Sequence, residues 1–503
     1  MKKVLKSVLT VTFIGVVTRI AGFVFKIILS RKLGAEGIGR LQICLTFLGT
    51  LFCLSSGGIP VTVSRKTAVF QNDKKSSGEY LSAALLTGGG IALLITIVLF
   101  LLSKKLTFIF TEQKNVKVFL FLLPSLFAGT VYSVIRGWFW GREKYNVFSL
   151  TEMSEELVRI VLAVVVFSLV AFSDKLVAIA LSFTIADYVS MLLLTVVFFA
   201  VGGRLYRPKY FKELLYHSAP VTGERMLGAL ISTLVAFVFP KLLTRFYPSS
   251  QATADYGRIT AMAATFIFAP STVTGALSTV LVPKIAVLIE KNPESAKKTV
   301  DYALSGCVII SGFFAALYMA LGKSVTELFY GDVRAGEYLS FCAAVVLPLT
   351  LNGIMGSVIN SIGKEKNGFL NFAVGNILFV VITFLLVGSI GWYSYAVGQF
   401  VGSCAVFVLN CRLLKKENVS DFSFFKTLFF TVLAVAVSSI TVSFINVYLW
   451  TYSFKYLALI INVVILTVLY LFILIITGSI KISLIKNKII SKILPKISTT
   501  SKT

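Results

Sequence analysis

The chain has 503 residues, of which 57% are hydrophobic and only 14% charged, and its mean hydropathy of +0.88 excludes a water-soluble globular protein. Its formal net charge of +26 does not indicate nucleic acid binding, because most basic residues fall in short loops between apolar runs, where they set membrane topology. Six cysteines without CxxC spacing and the single histidine, His217, predict neither a metal site nor disulfides. An all-α polytopic membrane protein is therefore expected.

Membrane-spanning helices need about 20 largely apolar residues, and about fourteen such segments follow one another along the chain. A first lobe, residues 1–202, contains six, near 5–30, 38–62, 79–103, 116–140, 147–172 and 175–201. After a basic connector, a second lobe, residues 203–412, contains six more, near 218–244, 255–285, 299–321, 337–361, 368–391 and 393–412. Two further helices, near 424–450 and 455–478 within residues 413–478, precede a basic tail, residues 479–503.

Loop charges predict the orientation. With the N-terminus in the cytoplasm, most loop lysines and arginines fall on the cytoplasmic side, so both termini are predicted to be cytoplasmic. The tail alternates isoleucine and leucine with lysine between Lys481 and Lys496, a pattern that suits either binding to anionic membrane lipids or a solvated end.

The two lobes repeat at an offset of about 220 residues. The paired segments are Gly39-Arg40-Leu41 with Gly257-Arg258-Ile259, Leu123-Pro124 with Leu347-Pro348, and Gly141-Arg142-Glu143-Lys144 with Gly363-Lys364-Glu365-Lys366. Because each lobe has an even number of spans, the copies enter the membrane in the same direction, which predicts a pseudo-two-fold axis along the membrane normal. Two such bundles enclose a cleft.

Two cationic residues lie inside the first apolar run. Arg19 is too deep to reach the surface easily, and a charge at that depth costs about 2.5 to 3.5 kcal/mol on insertion scales. Lys26, about two turns further on, either lines a cavity or extends to the outer surface. A guanidinium binds phosphate oxygens in pairs, so Arg19 is predicted to bind a pyrophosphate in a positively lined cleft.

Further charges lie on the fifth and seventh helices. Glu155, Glu156 and Arg159 are spaced by three and four residues, so at least one carboxylate is expected beside the guanidinium. The pair is either structural or a gate that opens when substrate or a cation competes for one member. Glu224 and Arg225 are the corresponding charges of the second lobe; they lie about 100° apart around the helix, so at most one faces the cleft.

Two single residues complete the candidates. Arg258 takes the place in the second repeat that Arg40 takes in the first, at the outer end of a helix, where it is either an interfacial anchor or a cleft residue. Asp187, a lone acid within the sixth helix, either binds a coupling cation or hydrogen-bonds another helix.

Several motifs resemble one family: Thr18-Arg19-Ile20-Ala21-Gly22-Phe23, Leu33 to Gly39, Ser133 to Gly141, Glu155 to Ile160, and Tyr256-Gly257-Arg258 running to Leu281-Val282-Pro283. They are similar to the stage V sporulation protein B group of polysaccharide transporters. That group belongs to the superfamily that joins multidrug and toxic compound extrusion proteins, lipid-linked oligosaccharide flippases and the lipid II flippase.

The resemblance implies a flippase that moves an undecaprenyl-linked oligosaccharide or peptidoglycan precursor outward across the bacterial cytoplasmic membrane, in cell-wall or spore-cortex synthesis. Cavity arginines of the lipid II flippase are matched here by Arg19 and Arg258, with Lys26 close to a further one. An arginine on that flippase's second helix has no counterpart, since this chain reads Thr50-Leu51-Phe52.

The mechanism expected is alternating access without covalent chemistry, so no enzyme activity, metal or other cofactor is predicted. Coupling to the membrane potential, Na⁺ or H⁺ stays open, as do partner proteins in cell-wall synthesis. One alternative is a cation-coupled multidrug exporter, which favours an acidic, aromatic cavity that the basic first helix opposes. Another is a non-transporting scaffold for envelope assembly.

Overall fold

The computed structural model describes residues 2–479 apart from 71, 111–112, 170–173, 273, 276–284, 286–287, 290 and 453. These residues form helices joined by short turns, with no β-strand among them. Nearly all of the predicted basic tail, residues 479–503, lies outside the described residues.

The helices follow the predicted spans to within a few residues. Those of the N-terminal part are α1 (Lys2–Ser56), α2 (Ile59–Val69), α3 (Lys74–Leu101), α4 (Thr107–Phe110), α5 (Gln113–Leu122), α6 (Ser125–Gly141), α7 (Tyr145–Leu169), α8 (Lys175–Ala200) and α9 (Phe211–Leu243). Those of the remainder are α10 (Ser249–Gly257), α11 (Ala264–Ile267), α12 (Pro293–Tyr330), α13 (Val333–Cys342), α14 (Val346–Ser361), α15 (Glu365–Ile390), α16 (Ser394–Lys416), α17 (Phe424–Tyr452) and α18 (Lys455–Ile476).

Three helix boundaries differ from those predicted from the sequence. Gly34, with φ 69° and ψ 176°, is the non-helical residue that divides α1 into the first two predicted helices, a conformation that glycine adopts without steric cost. Pro124, which has no amide hydrogen to continue a helix, separates α5 from α6 within the predicted fourth helix. The basic connector was expected to continue to the seventh helix, near residue 218. In the structure α9 begins at Phe211, so the connector is shorter.

The number of membrane crossings is compatible with the prediction. Within the described residues, ten helical stretches are long and apolar enough to cross a membrane. Two of them, Ile14–Val69 and Glu365–Lys416, have 56 and 52 residues, enough for two crossings each at about 20 residues per crossing. The 25-residue helix α7 carries too many charges to be counted among the ten. The predicted all-α multi-pass fold is confirmed, and about fourteen crossings fit it.

Two helix ends that lie 220 residues apart have the same turn. After α6, the amide of Lys144 donates to the carbonyl of Phe139 (3.0 Å), and after α14 the amide of Lys364 donates to that of Ile359 (3.1 Å). Glu143 and Gly363 take the same left-handed conformation, with φ of 55° and 71°. The two turns share a local conformation that also ends α8 and α16, so the predicted repeat and its pairing of Gly141 with Gly363 stay predictions.

Backbone contacts group Met1–Thr265 and Val380–Tyr395 in one unit. In this first unit, α1 packs against α5, α7, α9 and α10, while α6 packs against α2, α3 and α8. Its apolar core surrounds the fully buried Val63, Leu81 and Phe139. Helix α6 is therefore enclosed by neighbours, and its remaining face forms the cavity described below.

Phe266–Phe379 and Ala396–Thr503 form the second unit. Here α12 packs against α13, α14, α17 and α18. A polar chain crosses this packing: Asn446 Nδ2 donates to Ser324 Oγ (2.9 Å) and Asn462 Nδ2 donates to Asn446 Oδ1 (3.0 Å). Because a buried amide costs free energy unless it is hydrogen-bonded, these contacts fix α17 and α18 to α12. The predicted lobe boundaries stay a prediction.

Candidate functional site

A cavity of about 580 Å³ lies within the first unit. One face of α6 forms much of its wall, with Gly129, Ser133, Arg136 and Trp140 spaced by three or four residues as a single helix face requires. Residues of α1, α2, α7, α8 and α9 complete the wall. Between Ser125 and Trp140 the helical rise corresponds to about 22 Å, so the cavity extends over much of the thickness of a bilayer.

The wall carries charges of both signs. Its charged residues are Arg136 on α6, Glu152, Glu155, Glu156 and Arg159 on α7, Asp187 on α8 and Arg225 on α9. Four carboxylates thus accompany three guanidinium groups. This differs from the positively lined cleft expected from the sequence, because the acids of α7 and α8 face the same space as the arginines.

Arg159 is the centre of an ionic cluster. Its Nη2 atom donates to Glu155 Oε1 and to Asp187 Oδ1, both at 2.9 Å, and its Nη1 atom donates to Glu156 Oε2 at 3.2 Å. Both acids of α7 therefore contact the guanidinium, and Asp187 makes a contact between helices. Three carboxylates share one guanidinium, which leaves the cluster negatively charged when all are ionised.

Arg225 connects α9 to the junction of α1 and α2. Its Nη1 atom donates to the carbonyl oxygen of Gly57 at 2.6 Å, and the neighbouring amide of Gly58 donates to Thr222 Oγ1 at 2.9 Å. Glu224 is exposed and does not line the cavity.

The three predicted substrate residues do not line this cavity. Arg19 is exposed, although its neighbour Thr18 is part of the wall. Lys26 is also exposed, with Nζ 3.5 Å from Thr265 Oγ1. Arg258 is largely buried, and its Nη1 atom lies 2.7 Å from Oδ1 of the fully buried Asp255. Their roles in substrate binding stay predictions.

Glu156 nevertheless links the cavity to the basic face of α1. Arg19, Gly22 and Lys26 are spaced by three and four residues, which places them on one helix face. A Cβ atom added to Gly22 would lie 3.1 Å from Glu156 Oε1, so the carboxylate lies over the glycine between the two cations. Lys26 is close enough to interact with it electrostatically.

Sequence reasoning missed Arg136 and Glu152 as wall residues. The signal that led to Arg19, a charge within an apolar helix, was present at both positions. Within the described residues, no group of histidine, cysteine, aspartate or glutamate side chains has a metal-binding arrangement. The cavity can therefore offer hydrogen-bond donors to an anion and carboxylate acceptors to hydroxyl groups or a cation.

Comparison with known proteins decides the family. The sequence profile of the polysaccharide biosynthesis protein family matches residues 4–289, more than half of the chain. The chain belongs to this family. Stage V sporulation protein B of Bacillus subtilis (strain 168) is 24% identical over 432 residues, which cover 82% of this chain and 83% of that protein. The resemblance seen in the sequence motifs is thereby confirmed.

Solved structures show which fold this member of the family has. The lipid II flippase MurJ in an inward closed conformation aligns with a TM-score of 0.73 at 13% identity, over 92% of this chain and 97% of MurJ. An inward-facing multidrug resistance MATE family transporter of the MOP superfamily aligns with a TM-score of 0.69 at 14% identity, over 80% of this chain and 94% of the transporter. The chain is thus a multi-pass membrane protein with the MOP-superfamily fold.

Proposed function

We propose that this protein is a flippase that moves an anionic, lipid-linked carbohydrate outward across the bacterial cytoplasmic membrane by alternating access. Membership of the polysaccharide biosynthesis family and the fold shared with a lipid II flippase support transport of this kind of molecule. The similarity to stage V sporulation protein B supports an undecaprenyl-linked oligosaccharide or peptidoglycan precursor as substrate. Its use is then in cell-wall or spore-cortex synthesis.

The observation that carries the proposal is the presence of Arg225 and Arg136 in a cavity within the membrane-spanning part of the chain. In the described part of the chain Arg225 forms no ion pair, and its hydrogen bond to Gly57 engages only one of its five donors. A guanidinium group can donate two parallel hydrogen bonds to two oxygens of one phosphate, so the remaining donors of Arg225 suit a pyrophosphate.

Other charged residues have supporting roles in this proposal. The basic face of α1, with Arg19 and Lys26, attracts the headgroup toward the cavity. Arg258, predicted to bind the headgroup, keeps that role as part of the proposal. The Arg159 cluster is the gate: a phosphate that reaches Arg159 competes with Glu155, Glu156 and Asp187 for the same donors. Displacing Asp187 weakens the contact between α7 and α8.

Transport into proteoliposomes tests the proposal. Purified protein is reconstituted with a fluorescent prenyl pyrophosphoryl disaccharide, and the rate at which the headgroup crosses the bilayer is followed with a membrane-impermeant quencher. Arg225→Ala removes a charged hydrogen-bond donor to the phosphate and is therefore expected to slow translocation by about 10- to 100-fold. Arg225→Lys should recover part of the rate. Arg245→Ala, an exposed arginine just after α9, is the matched control. Equal rates in all variants would refute the assigned role.

A cation-coupled exporter is the second candidate, favoured by the four carboxylates of the cavity wall. It predicts exchange of a cationic dye for H⁺ or Na⁺, so that vesicles with an outward gradient of the cation take up the dye, and this uptake is lost in Asp187→Asn. The flippase proposal predicts no dye transport under the same conditions, so the two are separated in one vesicle preparation.

A further inference from the structure

We propose that Trp140 is a specificity-determining residue, and that its indole ring is the platform on which the sugar next to the phosphate of the substrate stacks. This inference rests on the proposed function and extends it, because it assigns the recognition of carbohydrate, as distinct from phosphate, to a named side chain. Neither the family nor the fold supplies this assignment; it comes from the wall of the cavity.

The geometry places an aromatic surface beside an anion-binding group. Trp140 lies one helical turn after Arg136 on the cavity face of α6, and the Arg136 guanidinium carbon is 5.0 Å from the ring centre. Trp140 belongs to the cavity wall and is 37% exposed. By contrast, Trp138, two residues earlier, is 6% exposed and packs on Phe139 and Phe198 in the core.

The chemistry of this wall suits a sugar. One face of a pyranose ring presents C–H groups, which pack on the electron-rich face of an indole ring, while its hydroxyl groups need hydrogen-bond partners. Glu152 and Glu155 line the same cavity from α7 and can accept such bonds, and Ser133 of α6 can both donate and accept. The Arg136 guanidinium lies over one face of the ring, so the sugar stacks on the opposite face, with its phosphate toward Arg136.

A tryptophan near a helix end also suits anchoring at a membrane interface. An anchor would face the lipid headgroups and be indifferent to substrate, whereas Trp140 lines an internal cavity together with Arg136 and Glu152. Trp450 offers a natural comparison: Lys455 Nζ lies 5.7 Å from its ring centre, so it has a similar cation contact, yet it belongs to the second unit and does not line this cavity.

Equilibrium binding to the purified full chain in detergent tests the inference. The probes are a short-chain prenyl pyrophosphate and the same molecule carrying one N-acetylhexosamine, titrated against wild type, Trp140→Leu, Trp140→Phe and the control Trp450→Leu. Thermal unfolding of each variant confirms that it is folded. Wild type is expected to bind the glycosylated probe about tenfold more tightly than the bare one. That preference should disappear in Trp140→Leu, be partly kept in Trp140→Phe, and persist in Trp450→Leu.

The outcomes separate this inference from the proposed function. If wild type binds both probes equally, or if Trp140→Leu weakens both by the same factor, Trp140 does not read the sugar, and the transport of an anionic lipid still stands. If wild type binds neither probe, the proposed function fails and the inference fails with it. If Trp140→Leu is misfolded, Trp140→Phe provides the test. Because phenylalanine lacks the full indole surface, a preference for the glycosylated probe equal to that of wild type would overturn the platform role.

Discussion

Gly39 and Gly257, which occupy matching places in the two sequence repeats, contact each other through their backbones. A Cβ atom added to Gly257 would lie 2.7 Å from the amide nitrogen and 2.8 Å from the Cα atom of Gly39. Each glycine precedes an arginine that pairs with an acid of its own helix, Arg40 with Glu36 at 2.6 Å and Arg258 with Asp255 at 2.7 Å. The second half of α1 and α10 thus cross at equivalent positions, where only glycine leaves room.

Alanine at position 39 should therefore destabilise the protein. The added methyl group would meet the carbonyl oxygen of Thr253 and the amide of Gly257, and overpacking of this kind costs about 1 to 3 kcal/mol. The unfolding temperature in detergent, followed by the loss of the monodisperse peak on size exclusion, measures the effect. Gly90→Ala on α3, where nothing lies within 4 Å of the new atom, should be neutral. Equal stability of the two variants would contradict the close contact.

A second contact between the repeats offers a test of motion. Thr50 Oγ1 of α1 lies 2.6 Å from Thr233 Oγ1 of α9, and both side chains are buried. In a background without native cysteines, Thr50→Cys with Thr233→Cys should form a disulfide, because the sulfur atoms would replace two oxygen atoms that are already in contact. If α1 and α9 separate during transport, oxidation should stop translocation and reduction should restore it. Unimpaired transport in the oxidised form would argue against such separation.

Removal of the Arg159 guanidinium should cost more than removal of one of its partners. Arg159→Ala leaves three neighbouring carboxylates without a counter-charge, which is expected to lower the free energy of unfolding by about 1 to 3 kcal/mol because the cluster is partly open to the cavity. Asp187→Asn keeps a hydrogen-bonding group and relieves excess negative charge, so its effect should be small. Thermal denaturation of both variants, compared with wild type, measures the difference; the reverse order of stabilities would show that Arg159 is not the organising charge.

In the second unit, Asp301 should fix the turn before α17. Its carboxylate accepts hydrogen bonds from the hydroxyl of Ser420 and, at 2.9 and 3.1 Å, from the hydroxyl and amide of Ser423. Asp301→Ala removes all of these acceptors and is expected to expose residues 417–423 to limited proteolysis. Glu294→Ala, which removes an exposed partner of Lys297, is the control. Resistance to protease equal to that of wild type would refute this role.

Helix positions were predictable from the sequence, whereas the helix faces were not. A span is recognised because crossing a bilayer requires a long apolar run, and α8 and α18 begin and end close to the predicted residues. The face that a span turns toward the protein interior is hard to read, because lipid and core are both apolar and the periodicity that marks a soluble amphipathic helix is lost. Thus Arg136 and Arg19 look alike in the sequence, yet only Arg136 lines the cavity.

Local spacing predicted part of the ionic cluster. Glu155, Glu156 and Arg159 are close because they share one helix, and any helix would bring them together. Asp187 joins them from α8, and Asp255 pairs with Arg258 within a helix that turns it fully inward. The contact of Asp187 with Arg159 depends on how α7 and α8 pack, and the position of Asp255 depends on which helix face is buried. The spacing of residues along the sequence determines neither.

If the cavity of the first unit receives the anionic headgroup, bound substrate should protect the cavity wall from chemical labelling. Ser133→Cys, placed in the cavity wall in a cysteine-free background, is labelled with a hydrophilic maleimide in the presence and absence of prenyl pyrophosphoryl disaccharide. Arg245→Cys, exposed and outside the wall, serves as reference. We predict that substrate slows labelling at position 133 only, and that Arg225→Ala abolishes this protection. Labelling at position 133 that substrate leaves unchanged would show that the headgroup does not enter this cavity.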